Sequence, residues 1–331
     1  MSTIDRSRRP RFALALFHPR YWLTWLGLAL WWLLVQVLPF RVLMWLGGKL
    51  GLLMALVSKK RVHIARVNLA LCFPEKTEQE RARLLRATLE SVGRGVFDTA
   101  ICWFWPRWRL LRRIDIEGTE LISAMLADRE PVLLFTPHFT SLELSSPALT
   151  LHGIDHAAGV YRPDNNPVYD FVQSRGRERH HPDNLVVPKQ DVRGMVKALR
   201  EGRAMVYLPD QDYGAKHSVF ASLFGIPAAT LSVSSQLAKL GKATVLGYVC
   251  TRKADLSGYT VALLDGFEDY GKGSEQQDAR ILNQFLEQCI RRYPDQYLWV
   301  HRRFKTRPPG EADFYTDPEA IKHATVNVAK K

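Results

Sequence analysis

Residues 21–40 read YWLTWLGLALWWLLVQVLPF, twenty positions without a charged side chain. Such a run must be covered by lipid or by protein. As a helix rising 1.5 Å per residue it would extend about 30 Å, the thickness of a bilayer's hydrocarbon core. Trp22, Trp25, Trp31, Trp32 and Trp45 suit an interfacial aromatic belt, although Trp31 and Trp32 fall mid-segment. Arg6, Arg8, Arg9, Arg11 and Arg20 precede the run, Arg41 follows it, and Lys59, Lys60 and Arg61 come later. With both flanks basic, charge bias does not orient the segment. A cleaved signal peptide is disfavoured by the length of the run and by the lack of a small-x-small cleavage site after it. The expectation is a membrane anchor; a tilted interfacial hairpin with Leu50–Val57 stays open.

Charge divides the chain in the same place. Residues 1–113 hold 20 Lys/Arg against 6 Asp/Glu, residues 114–331 hold 26 against 27, and eight of the nine Trp lie in the first 108 positions. A mean hydropathy of −0.15 excludes a polytopic transporter. The segment 101–113, ICWFWPRWRLLRR, interleaves aromatic and basic side chains. That pattern could stack on single-stranded nucleic acid or lie among anionic headgroups. Beside an apolar anchor the lipid reading is preferred, so anionic membrane lipids are an expected partner and nucleic acid is not. Cys72, Cys102, Cys250 and Cys289 are scattered, which fits buried free thiols and neither disulfides nor a zinc site.

Beyond Gly118, short apolar runs alternate with helical patterns. Val132–Phe135, Leu185–Val187, Ala204–Leu208, Ala243–Val249 and Tyr259–Leu264 read as strands. Ser141–Leu151, Asn166–Arg177, Val192–Glu201, Leu231–Leu240 and Gln276–Arg292 read as helices, and Thr77-x-x-Glu80 is a capping box opening another towards Phe97. This alternation predicts an α/β domain on a mostly parallel sheet flanked by helices. The expected organisation is an anchor with basic flanks over 1–60, a helical membrane-proximal segment over 61–117, a catalytic domain over 118–310 and a loose tail over 311–331.

The chemically pointed stretch is Pro131–Leu144, PVLLFTPHFTSLEL. A strand delivers His138 to its carboxyl end, and Pro137 biases Thr136 towards extended backbone. Thr140 is a natural N-cap, which would put Glu143 in a first helical turn. There Glu143 could accept a hydrogen bond from one imidazole nitrogen and raise the basicity of the other. The bland alternative is a capping box beside an ordinary loop histidine. Gly266–Gly273 has phosphate-loop spacing only up to Lys272; Gly273 stands where a Mg²⁺-binding hydroxyl belongs, and Glu268 and Asp269 would repel phosphate. His152 and His156 lack a third ligand, so no metal is expected.

His138-x4-Glu143 after a buried strand resembles the His-x4-Asp/Glu signature of the glycerolipid acyltransferase superfamily. Further blocks, Phe17–Trp25, Asn68–Glu75, His138–Leu144, Tyr161-Arg-Pro163, Pro209–Gly214 and Gln296–Pro308, resemble in order the late acyltransferases of lipid A biosynthesis, nearest the lauroyl branch. The resemblance implies a glycerolipid acyltransferase-like mixed α/β fold behind an N-terminal membrane-anchoring helix. It implies transfer of an acyl chain, laurate by analogy, from acyl carrier protein to the 3-hydroxyacyl hydroxyl of a Kdo-bearing lipid A precursor. His138 is then the general base and Glu143 its orienting partner. No cofactor is implied, since the carrier-protein thioester is a substrate. Arg162 matches a phosphate-binding arginine, and Arg175 and Arg177 could serve the same anionic head. Asp210 and Asp212 depart from the Pro-Glu-Gly block of the glycerol-phosphate enzymes and are expected to position and order their loop. Arg302 and Arg303, with Lys305 and Arg307, form a basic cluster that either faces headgroups or carrier protein or is simply solvated. The implied location is the inner membrane, single-pass or interfacially anchored, with catalysis facing the cytoplasm. An acyltransferase for lysophospholipid or ornithine lipid and a non-catalytic lipid-binding protein are the competing readings.

Overall fold

The computed structural model of the chain describes residues 10–329; Arg6, Arg8 and Arg9 of the basic flank lie outside them. The uncharged run does not make one long helix. It forms α1 (Trp22–Val37) and stops at Leu38-Pro39; its last residue, Phe40, opens the next helix, α2 (Phe40–Val57), with Pro39 as N-cap, where its missing N–H costs nothing. Among the described residues α2 is the one helix long and apolar enough to cross a membrane. Next come α3 (Lys59–Cys72), α4 (Glu78–Phe104) and α5 (Arg107–Leu111). The Thr77–Glu80 capping box is formed, and its helix runs well past Phe97.

The remaining elements are β1 (Ile114–Glu117), α6 (Glu120–Ala127), β2 (Val132–Phe135), α7 (Ser145–Leu151), β3 (Ala157–Tyr161), α8 (Pro167–Glu178), β4 (Leu185–Pro188) and α9 (Val192–Arg200). They are followed by β5 (Ala204–Tyr207), β6 (Ser218–Leu223), β7 (Ile226–Leu231), α10 (Val233–Gly241), β8 (Thr244–Arg252), β9 (Tyr259–Leu264), α11 (Glu275–Arg292) and α12 (Pro318–Ala329). Seven strands form one sheet in the order β1-β9-β8-β2-β5-β3-β4. Every neighbouring pair is parallel except β8–β9. The sheet is therefore mixed and mostly parallel, as the alternation of short strands and helices predicts. β6 and β7 form a separate antiparallel hairpin.

All four residues of β2 are buried, because helices cover both faces of the sheet. Leu133 and Phe135 point into one core, shared with α3, α9, α10, α11 and the hairpin; Val132 and Leu134 point into the other, shared with α4, α7 and the inner sides of α1 and α2. The four cysteines are free and buried.

Two segments differ from expectation. Trp103 and Trp105 in the aromatic-basic stretch are buried rather than lipid-facing, and only Trp108 and Leu111 there are large exposed apolar side chains. The C-terminal residues expected as a loose tail form α12, whose Ala320, Ile321 and Ala324 pack on the core.

Candidate active site

Parallel pairing of β2 with β5 sets Phe135 opposite Tyr207, so the two chains leave the sheet side by side. Three residues further on, each chain presents a polar side chain after a proline: Thr136-Pro137-His138 and Leu208-Pro209-Asp210. The Asp210 carboxylate accepts a hydrogen bond from the His138 Nδ1 and, at 2.9 Å, from the His138 backbone N–H. The loop is pinned from outside as well. Leu298 N–H donates to the His138 carbonyl (2.9 Å), and Thr140 N–H donates to the Gln296 carbonyl (2.8 Å).

Asp210 is fully buried and His138 about 20% exposed, so one end of the imidazole is enclosed while the ring reaches a cleft. Burial pushes the Asp210 pKa up. The charge of His138, the two hydrogen bonds from it and Arg303 outweigh that and hold the group at about 2. Asp210 is thus a permanent carboxylate that fixes the imidazole by its Nδ1 and leaves Nε2 as the nitrogen able to accept a proton.

Glu143 is not the partner of His138. No hydrogen bond joins the two among the described residues, although both line the cleft. Thr140 does not cap a helix either. Its Oγ1 pairs with Ser91 Oγ at 2.7 Å and accepts from Arg252 Nη1 at 2.9 Å. A 3-10 turn over Leu142–Leu144 then directs Glu143 towards α4 and α8. There its carboxylate accepts from both Nε (2.9 Å) and Nη2 of Arg177 and from Trp103 Nε1 (3.2 Å). Burial raises the Glu143 pKa, and Arg177 and Trp103 more than offset it, so the group sits below the ordinary carboxylate value.

The cleft has a volume of about 900 Å³ and opens at the carboxyl ends of β2, β5, β3 and β4. Its apolar lining includes Leu142, Val160, Leu185, Val206 and Leu231, and its basic lining includes Arg61, Arg162, Lys189 and Lys305. Arg162 is exposed at the cleft and, among the described residues, makes no ion pair or hydrogen bond. Asp212 accepts from Thr306 N–H (2.8 Å), Thr306 Oγ1 (2.7 Å) and Gly214 N–H (2.9 Å), and so ties its loop to the C-terminal block. His301, given no role by sequence, also lines the cleft; burial pushes its pKa down to about 4.

Three other sequence candidates lie off the cleft. Arg175 is exposed over the Phe171 ring at 5.6 Å. Arg302 pairs with Asp313 at 2.7 Å, and Arg303 is buried, donating to the Ala229 carbonyl at 2.8 Å. Arg302 and Arg303 therefore brace the C-terminal block rather than face headgroups. Arg177 is at the cleft but engaged by Glu143.

An imidazole held by a buried carboxylate, at a cleft lined by apolar and basic side chains, suits chemistry on a lipid with an anionic head. The family of bacterial lipid A biosynthesis acyltransferases matches this sequence over residues 9–306. The chain belongs to that family. It is 41% identical to the lipid A biosynthesis lauroyltransferase of Escherichia coli (strain K12), over 92% of this chain and 99% of that protein. It is 40% identical to the palmitoleoyltransferase of the same strain (92% and 98%) and 28% identical to its myristoyltransferase (92% and 94%). This lipid A acyltransferase is accordingly a membrane-associated enzyme with a cleft between the strand ends of its sheet.

Proposed function

We propose that this acyltransferase moves a lauroyl group from acyl carrier protein to the free hydroxyl of a 3-hydroxyacyl chain on a Kdo-bearing lipid A precursor. The reaction takes place at the inner membrane, with the cleft towards the cytoplasm. The observation that carries this reading is the Asp210–His138 pair at a cleft lined by both apolar and cationic side chains. The lauroyl donor is supported by the 41% identical lauroyltransferase, and the 40% and 28% identical relatives act by name on palmitoleoyl and myristoyl groups.

His138 Nε2 takes the hydroxyl proton as the alcohol oxygen attacks the thioester carbonyl. The C–O bond forms, the tetrahedral intermediate collapses with loss of the C–S bond, and the departing thiolate recovers the proton from the imidazolium. The product is an acyloxyacyl ester. A thioester is already activated, so no covalent enzyme intermediate is needed. Burial also pushes the Cys250 thiol up to about 12 and raises Cys102, which argues against either as a nucleophile. Arg162, Lys189 and Lys305 supply cations for phosphate or carboxylate groups, the guanidinium by bidentate contact. Glu143 and Arg177 act as one half-buried pair that fixes α8 beside the loop of the base.

The test is direct. Purified enzyme in detergent is given carrier-protein thioesters from C10 to C16 with the lipid A precursor, and products are weighed. His138→Ala should lower kcat/KM by at least about 10²-fold. Asp210→Asn should lower kcat with little change in KM, because it disturbs orientation and not binding. Near-normal turnover by folded His138→Ala would remove the general-base role, and preferred acylation of a lysophospholipid would overturn the acceptor.

A further inference from the structure

Among the described residues, sixteen of the twenty-one large hydrophobic side chains that stand exposed lie between Phe12 and Val57, most of them on α1 and α2. The opposite sides of these two helices are not free. Along α1, Thr24 Oγ1 accepts from Asn166 Nδ2 at 2.8 Å, Leu28 packs on Val168, Trp31 meets Trp103 edge-on at 5.6 Å, and the Val35 carbonyl accepts from Trp105 Nε1 at 2.7 Å. Those contacts recur at helical spacing from the first turn to the last. The helix is docked on α4 and α8 over its full length. Its sixteen residues also extend only about 24 Å, short of a hydrocarbon core.

α2 has the length to cross but not the freedom. Gly47, Gly48 and Gly51 bring its backbone against Gly93, Arg94 and Leu89 of α4; a Cβ on Gly51 would stand 1.9 Å from the Leu89 carbonyl oxygen. Alongside run the α4 ion pairs Arg86–Glu90 (3.4 Å) and Glu90–Arg94 (3.1 Å). A spanning α2 would carry these charges into lipid. α4 also holds the catalytic loop through Ser91 and Thr140, so it cannot leave the aqueous domain. Lys49 stands exposed halfway along α2, and Arg20 and Arg41 flank α1.

We propose that α1 and α2 do not cross the membrane: they lie in its plane, with their outward faces sunk into one leaflet of an anionic bilayer and both ends of each helix on the same side. In this attitude Arg20, Arg41 and Lys49 reach lipid phosphates while the tryptophans and leucines enter the acyl boundary, to a depth of about 5–10 Å. α8 packs on α1 by Val168 and lines the cleft by Gln173 and Arg177, so the cleft stands one helix, about 10 Å, from the lipid-facing layer. The proposal rests on membrane association and not on which lipid is acylated.

Because the four native cysteines are buried, single cysteines introduced at Arg11→Cys, Arg41→Cys and Asp269→Cys in the full chain can be labelled against a low background. A membrane-impermeant maleimide is applied to sealed right-side-out and inverted vesicles. All three positions should react from one and the same face, and the unmodified protein should float with vesicles containing anionic lipid and less with zwitterionic ones. Reaction at position 11 or 41 only from the face opposite 269 would overturn the in-plane arrangement. So would either position reacting only after detergent. Acylation of the lipid A precursor, assayed on the same membranes, reports separately on the enzymatic reading.

Discussion

His138 and Asp210 show how a partner can be present in a sequence without being visible as one. The strand endings Phe-Thr-Pro-His and Tyr-Leu-Pro-Asp match in pattern, yet only the parallel pairing of Phe135 with Tyr207 turns that likeness into a contact. Spacing within one segment suggested Glu143 instead, because a local rule is the only one a single stretch can offer. The Glu143 carboxylate answers to Arg177, thirty-four positions away. Removing its charge weakens a half-buried ion pair and its hydrogen bonds. Glu143→Gln should cost about 1.5–3 kcal/mol of stability, the range for hydrogen bonds to a charged group. Thermal unfolding in detergent measures that loss. On the proposed mechanism the acid limb of the activity profile should stay where it is, since Asp210 and not Glu143 holds His138; a displaced limb would return Glu143 to the proton path.

At the level of elements, the strands with large branched side chains were readable: β2 and β9 have the predicted ends and β4, β5 and β8 differ by a few residues. β3 (AAGVY) and the β6–β7 hairpin, rich in Ala and Ser and containing Pro227, give no apolar alternation to read, and β1 is a four-residue edge strand. Pro39 also ends the helix of the uncharged run after sixteen residues, short of the twenty expected. α4 joins these pieces. Gly95 lets its backbone approach the catalytic loop so closely that a Cβ there would stand 2.6 Å from the Thr140 carbonyl oxygen. Gly95→Ala should therefore cost about 1–3 kcal/mol and lower kcat although it touches no substrate. Unfolding and steady-state rates on one preparation check both. Unchanged kcat would show that the loop is held by Asp210 and Gln296 alone.

Over the whole molecule, burial governs how stability responds to acid. His180, whose Nε2 faces the Cys102 carbonyl at 3.1 Å, and His301 are each pushed down to about 4, first of all by burial. In the unfolded chain both take up protons near the usual histidine value of about 6.5. Between those limits the unfolded state binds more protons, so stability falls as pH falls from about 6.5 to about 4. Asp210, depressed by His138, adds a further loss below about pH 4. The melting temperature should decline across the upper window, and the decline should be shallower in His180→Gln; equal slopes would mean that this imidazole titrates alike in both states. The chain-long contact of Gly51 with Leu89, and of Gly95 with Thr140, has a different consequence. Main-chain packing joins α2 to α4 and α4 to the turn bearing His138, with the Ser91–Thr140 hydrogen bond beside it. Substitutions among the cleft side chains should therefore reshape the cavity while the height of the His138 turn over α2 stays constant.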